Sequence, residues 1–257
     1  MPPLLEMEEY SVAWIAPLAI EAAAAIQLLD EHHGVPARKP GQTLVYHLGR
    51  MEDHNVAIVC FPAGECGIGV AGFMAAEVKR DLPHLEIGLL VGIGAGIPSS
   101  ENDIHLGDVA VAVPDGDNAG VIGYDLVKIE PEEVRLKQWQ NGSHSMLRSA
   151  ISTPRLPIVH HGTILSGNKV IKSELYRDEM SRKYKAIAME MEAAGIMNAL
   201  PVAVIRGVSD FGDSKKNDLW QPYAAATAAA YAKELFKVLG PLEKVQGRLP
   251  DQKAQYD

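Results

Sequence analysis

Apolar and polar positions along this chain fall into blocks that read as strands followed by helices. Residues 10–15 form a short apolar run, and 20–29 are alanine-rich with apolar residues at helical spacing. A strand leading directly into a helix is expected there, with the helix ending near Gly34 and Glu21 in its first turn. Residues 43–48 and 56–61 read as two strands joined by a polar hairpin connection over 49–55. Gly67-Ile68-Gly69 opens a helix that runs through 71–80, and 87–91 is a continuous apolar strand that enters Gly92-Ile93-Gly94-Ala95-Gly96. Another strand is expected over 108–113 and a glycine-containing loop over 115–123. Residues 132–152 follow Pro131 with amphipathic spacing and predict a mostly helical stretch broken at Asn141-Gly142-Ser143. A strand over 158–165, a charged helix over 172–185, a buried strand over 200–208 and a long alanine-rich helix over 224–239 complete the pattern. The stretch 241–257 is polar and aperiodic, as a tail or linker stub would be.

This alternation argues for an α/β fold with a largely parallel or mixed sheet covered by helices. At 257 residues, with no break in composition, one domain is expected. The net charge of −9 lacks the basic footprint of a nucleic-acid binder. Two cysteines, Cys60 and Cys66, are too few for a disulfide framework or a cysteine zinc site, which points to a reducing, cytoplasmic setting. The apolar stretch 12–29 is interrupted by Pro17 and Glu21 and follows no basic segment, so neither a signal peptide nor a membrane span is expected.

The glycine run after residue 91 resembles a dinucleotide fingerprint, but polar residues and a further strand follow it where a phosphate-binding helix should start. Glycines at a sheet edge still let a small ligand approach the backbone, and their plainer reading is a tight turn. No Gly-x-Ser-x-Gly elbow is present. The pairs His32-His33 and His160-His161 lack metal-ligand spacing, so no metal site is assigned. Lys215 and Lys216 read either as solvated surface or as contacts for an anionic substrate group, such as a 5′-phosphate.

The most informative positions are acids inside apolar runs. Glu190 and Glu192 lie within Ala188-Met189-Glu190-Met191-Glu192-Ala193, and Asp210 ends the apolar strand 200–208. An unpaired carboxylate in such surroundings costs several kcal/mol or takes up a proton, so a site that uses acids is the economical reading.

Four motifs occur in one order: Gly92 to Gly96, Ser166-Gly167-Asn168, Glu190-Met191-Glu192-Ala193, and Arg206-Gly207-Val208-Ser209-Asp210. In that order they resemble the nucleoside phosphorylase and nucleosidase superfamily. Tyr10-Ser11-Val12-Ala13-Trp14-Ile15 and Gln221-Pro222-Tyr223-Ala224 are similar to a fungal branch found at the N-terminus of NACHT and ankyrin-repeat immune-type proteins. The resemblance covers residues 8–240 and implies a three-layer α/β/α sandwich with a mixed, partly barrel-like central sheet. It also implies that Met191 and Glu192 bind ribose with Glu190 alongside, and that Asp210 is the general acid toward a purine N7, its proton retained by burial near Val208 and Phe211. Gly94, Asn168, Val170, Ser209 and Phe211 fall at substrate-binding positions.

Phosphorylases of the superfamily place an arginine two residues before the first glycine of the run, a serine or threonine just after it, and a further arginine near the first helix. Here those positions hold Leu90 and Ile93, and Glu21 stands where the nucleosidases keep a general base. The resemblance therefore implies a purine nucleoside N-ribosyl hydrolase acting on adenosine-type nucleosides, or on nucleotides such as ATP, with no cofactor. A phosphate-dependent phosphorylase and a non-catalytic nucleotide-sensing or oligomerisation module are the alternatives. A homo-oligomer, dimeric or trimeric, is the implied assembly.

Overall fold

The computed structural model describes residues 5–125, 127–129, 134–136, 140–152 and 159–241. In chain order the elements are β1 (Val12–Ala16), α1 (Ala19–Gln27), β2 (Glu31–Gly34), β3 (Tyr46–Met51), β4 (His54–Cys60), α2 (Ile68–Asp81) and β5 (Ile87–Gly96). After them come β6 (Val109–Ala112), β7 (Val121–Gly123), β8 (Val127–Ile129), β9 (Val134–Leu136), α3 (Ser145–Ile151), β10 (Val159–Ser166) and α4 (Glu174–Tyr184). The last are β11 (Ala186–Glu190), α5 (Ala193–Ala199), β12 (Ala203–Asp210) and α6 (Gln221–Leu239).

All of β1 is buried, and its alternating residues show how the layers form. Val12, Trp14 and Ala16 face one apolar cluster with residues of α1, α3 and α6, while Ala13 and Ile15 face another with residues of α2 and α5. Helices therefore cover both sides of the sheet, the three-layer arrangement expected. Strand order along the sheet is β11-β10-β6-β12-β5-β1-β4-β3-β2, mixed in direction. β11 also pairs antiparallel with β5, through Ala188 opposite Gly96 and Met189 opposite Ala95. That pairing closes β5, β12, β6, β10 and β11 into a five-stranded barrel.

Closure depends on the glycine run. β5 follows β1 only as far as Leu90 and then continues along β12 to Ala95, bending toward β11. A Cβ at Gly94 would lie 2.9 Å from the Met189 carbonyl oxygen, and one at Gly96 would lie 2.8 Å from a Val208 methyl. The run is thus strand backbone in close contact with its neighbours, and Gly92, Gly94 and Gly96 have no positive φ.

Several elements differ from the expectation. The hairpin turn is only Glu52-Asp53, because β3 extends to Met51 and β4 starts at His54, with Glu52 at φ 49°. Among the described residues of 132–152, the helix is confined to Ser145–Ile151, and Val134–Leu136 pairs antiparallel with Val127–Ile129 as a small separate sheet. Val-Arg-Leu alternates as readily as it fits a helical period, and pairing decided the outcome. Expected strand residue 158 and tail residues 242–257 lie outside the described residues. His33 sits in β2, with the Tyr10 hydroxyl 2.7 Å from its Nδ1, and His160 sits in β10, its Nε2 2.9 Å from Asp108 Oδ2. No described helix is long and apolar enough to cross a membrane.

α5 rests on α2 at backbone distance, which fixes the segment that carries Glu192. A Cβ on Gly195 would meet the Ile68 carbonyl oxygen at 2.0 Å, whereas one on Gly72 would meet the Gly195 oxygen at 3.3 Å. Alanine gains about 1 kcal/mol of helix propensity over glycine, and overpacking against backbone costs about 1–3 kcal/mol. Gly195→Ala should therefore be a net loss in urea unfolding, while Gly72→Ala should lie near neutral; equal effects would show that the helix contact is not tight.

Candidate active site

Strand ends and helix starts converge on a cleft of about 230 Å³. Its lining includes Glu21 from α1, Ile93 and Gly94 from β5, Met189 and Glu190 from β11, and Ser209 and Asp210 from β12, with Met191 and Glu192 between β11 and α5. Placement beyond the ends of sheet strands is the general position for ligands in α/β folds.

At one end, three carboxyls surround one guanidinium. Arg206 lies in the middle of β12 and is 1% exposed. Its Nη2 donates to Glu190 Oε2 and, at 3.3 Å, to Glu192 Oε2, while its Nη1 is 4.0 Å from Glu21 Oε1. Gly92 makes room for this packing: a Cβ there would lie 2.3 Å from Glu21 Oε1 and 2.5 Å from Arg206 Nη1.

Each acid is held differently. Glu190 accepts from the Glu192 and Ala193 backbone N–H groups at 3.1 and 3.0 Å, satisfying donors at the start of α5. Glu21 reaches back to the Leu18 N–H at 2.7 Å, satisfying a donor at the start of α1, and its other oxygen accepts from the Ile93 N–H at 2.7 Å. Burial pushes the Glu21 carboxyl from 4.5 up to about 7, against the lowering influence of Arg206 and the two N–H donors. Burial also raises Glu192, again opposed by Arg206. Glu21 thus has the protonation range of a base working near neutrality.

Asp210 lines the same cleft. Its Oδ1 accepts from the Gly212 N–H at 2.8 Å, and its Oδ2 lies 3.0 Å from Lys216 Nζ and 3.1 Å from Ser209 Oγ. Ser209 Oγ is also 3.3 Å from the Gly94 carbonyl oxygen, so its one proton serves one acceptor at a time. The surroundings expected to keep a proton on this acid were apolar; the structure adds an ammonium.

Of the residues singled out from sequence, Glu21, Gly94, Val170, Glu190, Met191, Glu192, Ser209, Asp210 and Lys216 share this cleft. Asn168, Phe211 and Lys215 are not on its lining. Asn168 Oδ1 accepts from the Ile68 N–H at 2.9 Å, holding the start of α2, and its amide nitrogen is 3.0 Å from Asp125 Oδ2. Phe211 packs against the core, and Lys215 is exposed. Sequence reasoning assigned no role to Arg206, although a lone arginine inside an apolar strand carries the same signal as a lone acid.

Residues 11–239 match the phosphorylase superfamily, and the chain belongs to that family. It is 34% identical, over 93% of its length, to a nucleotide-binding leucine-rich repeat (NLR)-like protein of Hyaloscypha variabilis, of which it spans 30%. A shorter segment, 28% of the chain, is 37% identical to an ATP nucleosidase, Cap17, of Escherichia coli, covering 15% of that protein. Among solved structures, 5′-methylthioadenosine/S-adenosylhomocysteine nucleosidase of S. pneumoniae superposes with TM-score 0.72 at 22% identity, covering 89% of this chain and 99% of the other. Futalosine hydrolase of Helicobacter pylori gives TM-score 0.69 at 17% identity, covering 88% and 97%. The fold is therefore the one these nucleosidases share.

Breaking a buried ion cluster by removing one partner costs about 3–5 kcal/mol, because uncompensated charge stays behind. Arg206→Leu should lose that much in denaturant unfolding at about pH 8, and less at about pH 5, where the carboxyls it abandons can take up protons. A loss independent of pH would show that Arg206 acts through packing alone.

Proposed function

We propose that this domain is a purine nucleoside N-ribosyl hydrolase. The observation that carries the reading is Glu21: buried, aimed by two backbone N–H groups, raised to about 7, and sharing one cleft with Asp210. In the proposed reaction Glu21 takes a proton from water, which attacks the anomeric carbon as the bond to the base breaks. Met191 packs under the sugar and Glu192 accepts from its hydroxyls, while Glu190 and Arg206 hold Glu192 and the start of α5 in place. Asp210 passes a proton to N7 of the purine, so that the base leaves without an uncompensated negative charge.

Water is favoured over phosphate because three carboxyls face one guanidinium at the attacking end, and that guanidinium is already engaged. A phosphate nucleophile needs free cationic donors there. Nucleotide substrates form a second reading, supported by the partial likeness to an ATP nucleosidase. Lys216 is drawn to Asp210 and Lys215 lies off the cleft, so 5′-phosphates would extend outward rather than bind deep inside.

Incubation with adenosine, inosine, guanosine and ATP, each with and without phosphate, should release free base and ribose or ribose phosphate independently of phosphate. Ribose 1-phosphate would mark a phosphorylase, and binding without release a sensing module. Glu21→Ala and Asp210→Ala should each abolish base release while a cooperative thermal unfolding transition is retained, at lower temperature for Glu21→Ala; normal activity in either sinks the assignment.

A base must be ionised to act, so a carboxyl raised to about 7 gives activity that falls as pH drops below that value. The kcat/KM profile should show an acid limb near pH 7, rather than in the range of about 4 to 5 of an ordinary glutamate. A flat profile down to about pH 5 would remove Glu21 from the role of base.

A further inference from the structure

Asp210 must hand over a proton in the proposed reaction, yet its surroundings are those of an acceptor. Among the described residues its hydrogen-bond and ion-pair partners are the Ser209 hydroxyl, the Gly212 N–H and the Lys216 ammonium. An ammonium group, with an ordinary pKa of about 10.4, is a far stronger acid than an alcohol or a peptide N–H. Lys216 is the one of the three with a releasable proton.

Its placement is built by the chain. Gly212 turns at φ 62°, a conformation that favours glycine, directly after β12 ends at Asp210. The Lys216 N–H then bonds the Asp213 carbonyl oxygen at 3.2 Å, folding the loop back so that Nζ reaches Asp210 Oδ2 at 3.0 Å. The Lys216 side chain is 28% exposed against 6% for Asp210. Both line the cleft, and the lysine is the member of the pair that solvent reaches more freely.

From this geometry we propose that Lys216 is the proton reservoir of Asp210, a positioning residue that acts on the leaving base through the carboxyl. The proposal rests on the reading of Asp210 as the acid. As the glycosidic bond breaks, its electron pair goes to the purine. An N–H bond of Lys216 breaks as an O–H bond forms on Asp210, and Asp210 gives a proton to N7. The products are a neutral purine, an aspartate and a neutral amine, and the amine regains its proton from solvent on its exposed side. No other reactant is needed.

Two variants separate this from a structural or purely electrostatic role. Lys216→Met removes charge and proton, whereas Lys216→Arg keeps the charge but carries no releasable proton near neutrality. General acid catalysis contributes about 10²–10⁴-fold, so both variants should lower kcat on the purine substrate at least about tenfold. Both should stay within about threefold of wild type on p-nitrophenyl riboside, whose leaving group departs without protonation. Should the wild type not cleave that riboside, Lys216→Ala with added methylammonium supplies the readout, recovery of base release supporting the relay and no recovery overturning it.

Wild-type rates in Lys216→Arg would reduce the lysine to a fixed charge and overturn the relay. So would unchanged rates in both variants, or equal losses on both substrates. Thermal melts establish that the variants fold. No base release by the wild type from any purine nucleoside or nucleotide would fail the proposed function itself, and the relay with it. A normal wild type with indifferent variants fails the relay alone.

Discussion

One guanidinium buried among three carboxyls sets the arrangement of everything around the cleft. Arg206 is inside β12, and its partners arrive from α1, from the end of β11 and from the start of α5. Burying such charges is not stabilising in itself, because desolvation cancels much of the attraction. What the cluster provides is position. Glu21 ties the first turn of α1 to the backbone of β5, and Glu190 ties the first turn of α5 to β12 through Arg206. Gly92 follows from the same constraint, since any side chain there would occupy the volume of the ion pair.

The barrel and the charge cluster are two results of the same close approach. β5 must leave β1 and meet β11 within a few residues, and it can do so only where glycines let carbonyl groups and neighbouring side chains come near. The run 92–96 therefore looks like a nucleotide loop in sequence and is strand backbone in the fold. Its resemblance to a dinucleotide turn comes from a shared need for space, met here by protein rather than by pyrophosphate.

Strands and helices with long, clean periods were legible in the sequence: β1, α1, α2, β5 and α6 all fall near their expected places. Barrel closure was expected only through family resemblance, since nothing local in 186–190 announces that β11 will pair with both β10 and β5. α5, with seven residues, is too short to impose a period, and β9 is a segment whose partner decided its form. In the cleft the acids were legible because a carboxylate in an apolar run has no cheap structural explanation. Arg206 carries the same signal, a charge with no cheap place in an apolar strand. Lys215 and Lys216 look equivalent as neighbours in sequence, but only Lys216 folds back to Asp210, and Lys215 faces solvent.

The distribution of cations around the cleft bears on which kind of nucleophile it could admit. The cations on the lining are Lys169, 3.5 Å from Asp125, and Lys216, 3.0 Å from Asp210; Arg206 behind it is shared among the glutamates. Each is already neutralised, so an anionic nucleophile would have to break an existing pair to find a partner. A neutral one needs only a base. In the proposed reaction that base is Glu21, which burial raises while Arg206 restrains the rise, leaving it near the neutral range. The guanidinium nearest the glutamates is fully engaged by them and leaves no free cation there for phosphate, and that is the physical basis for proposing water as the nucleophile.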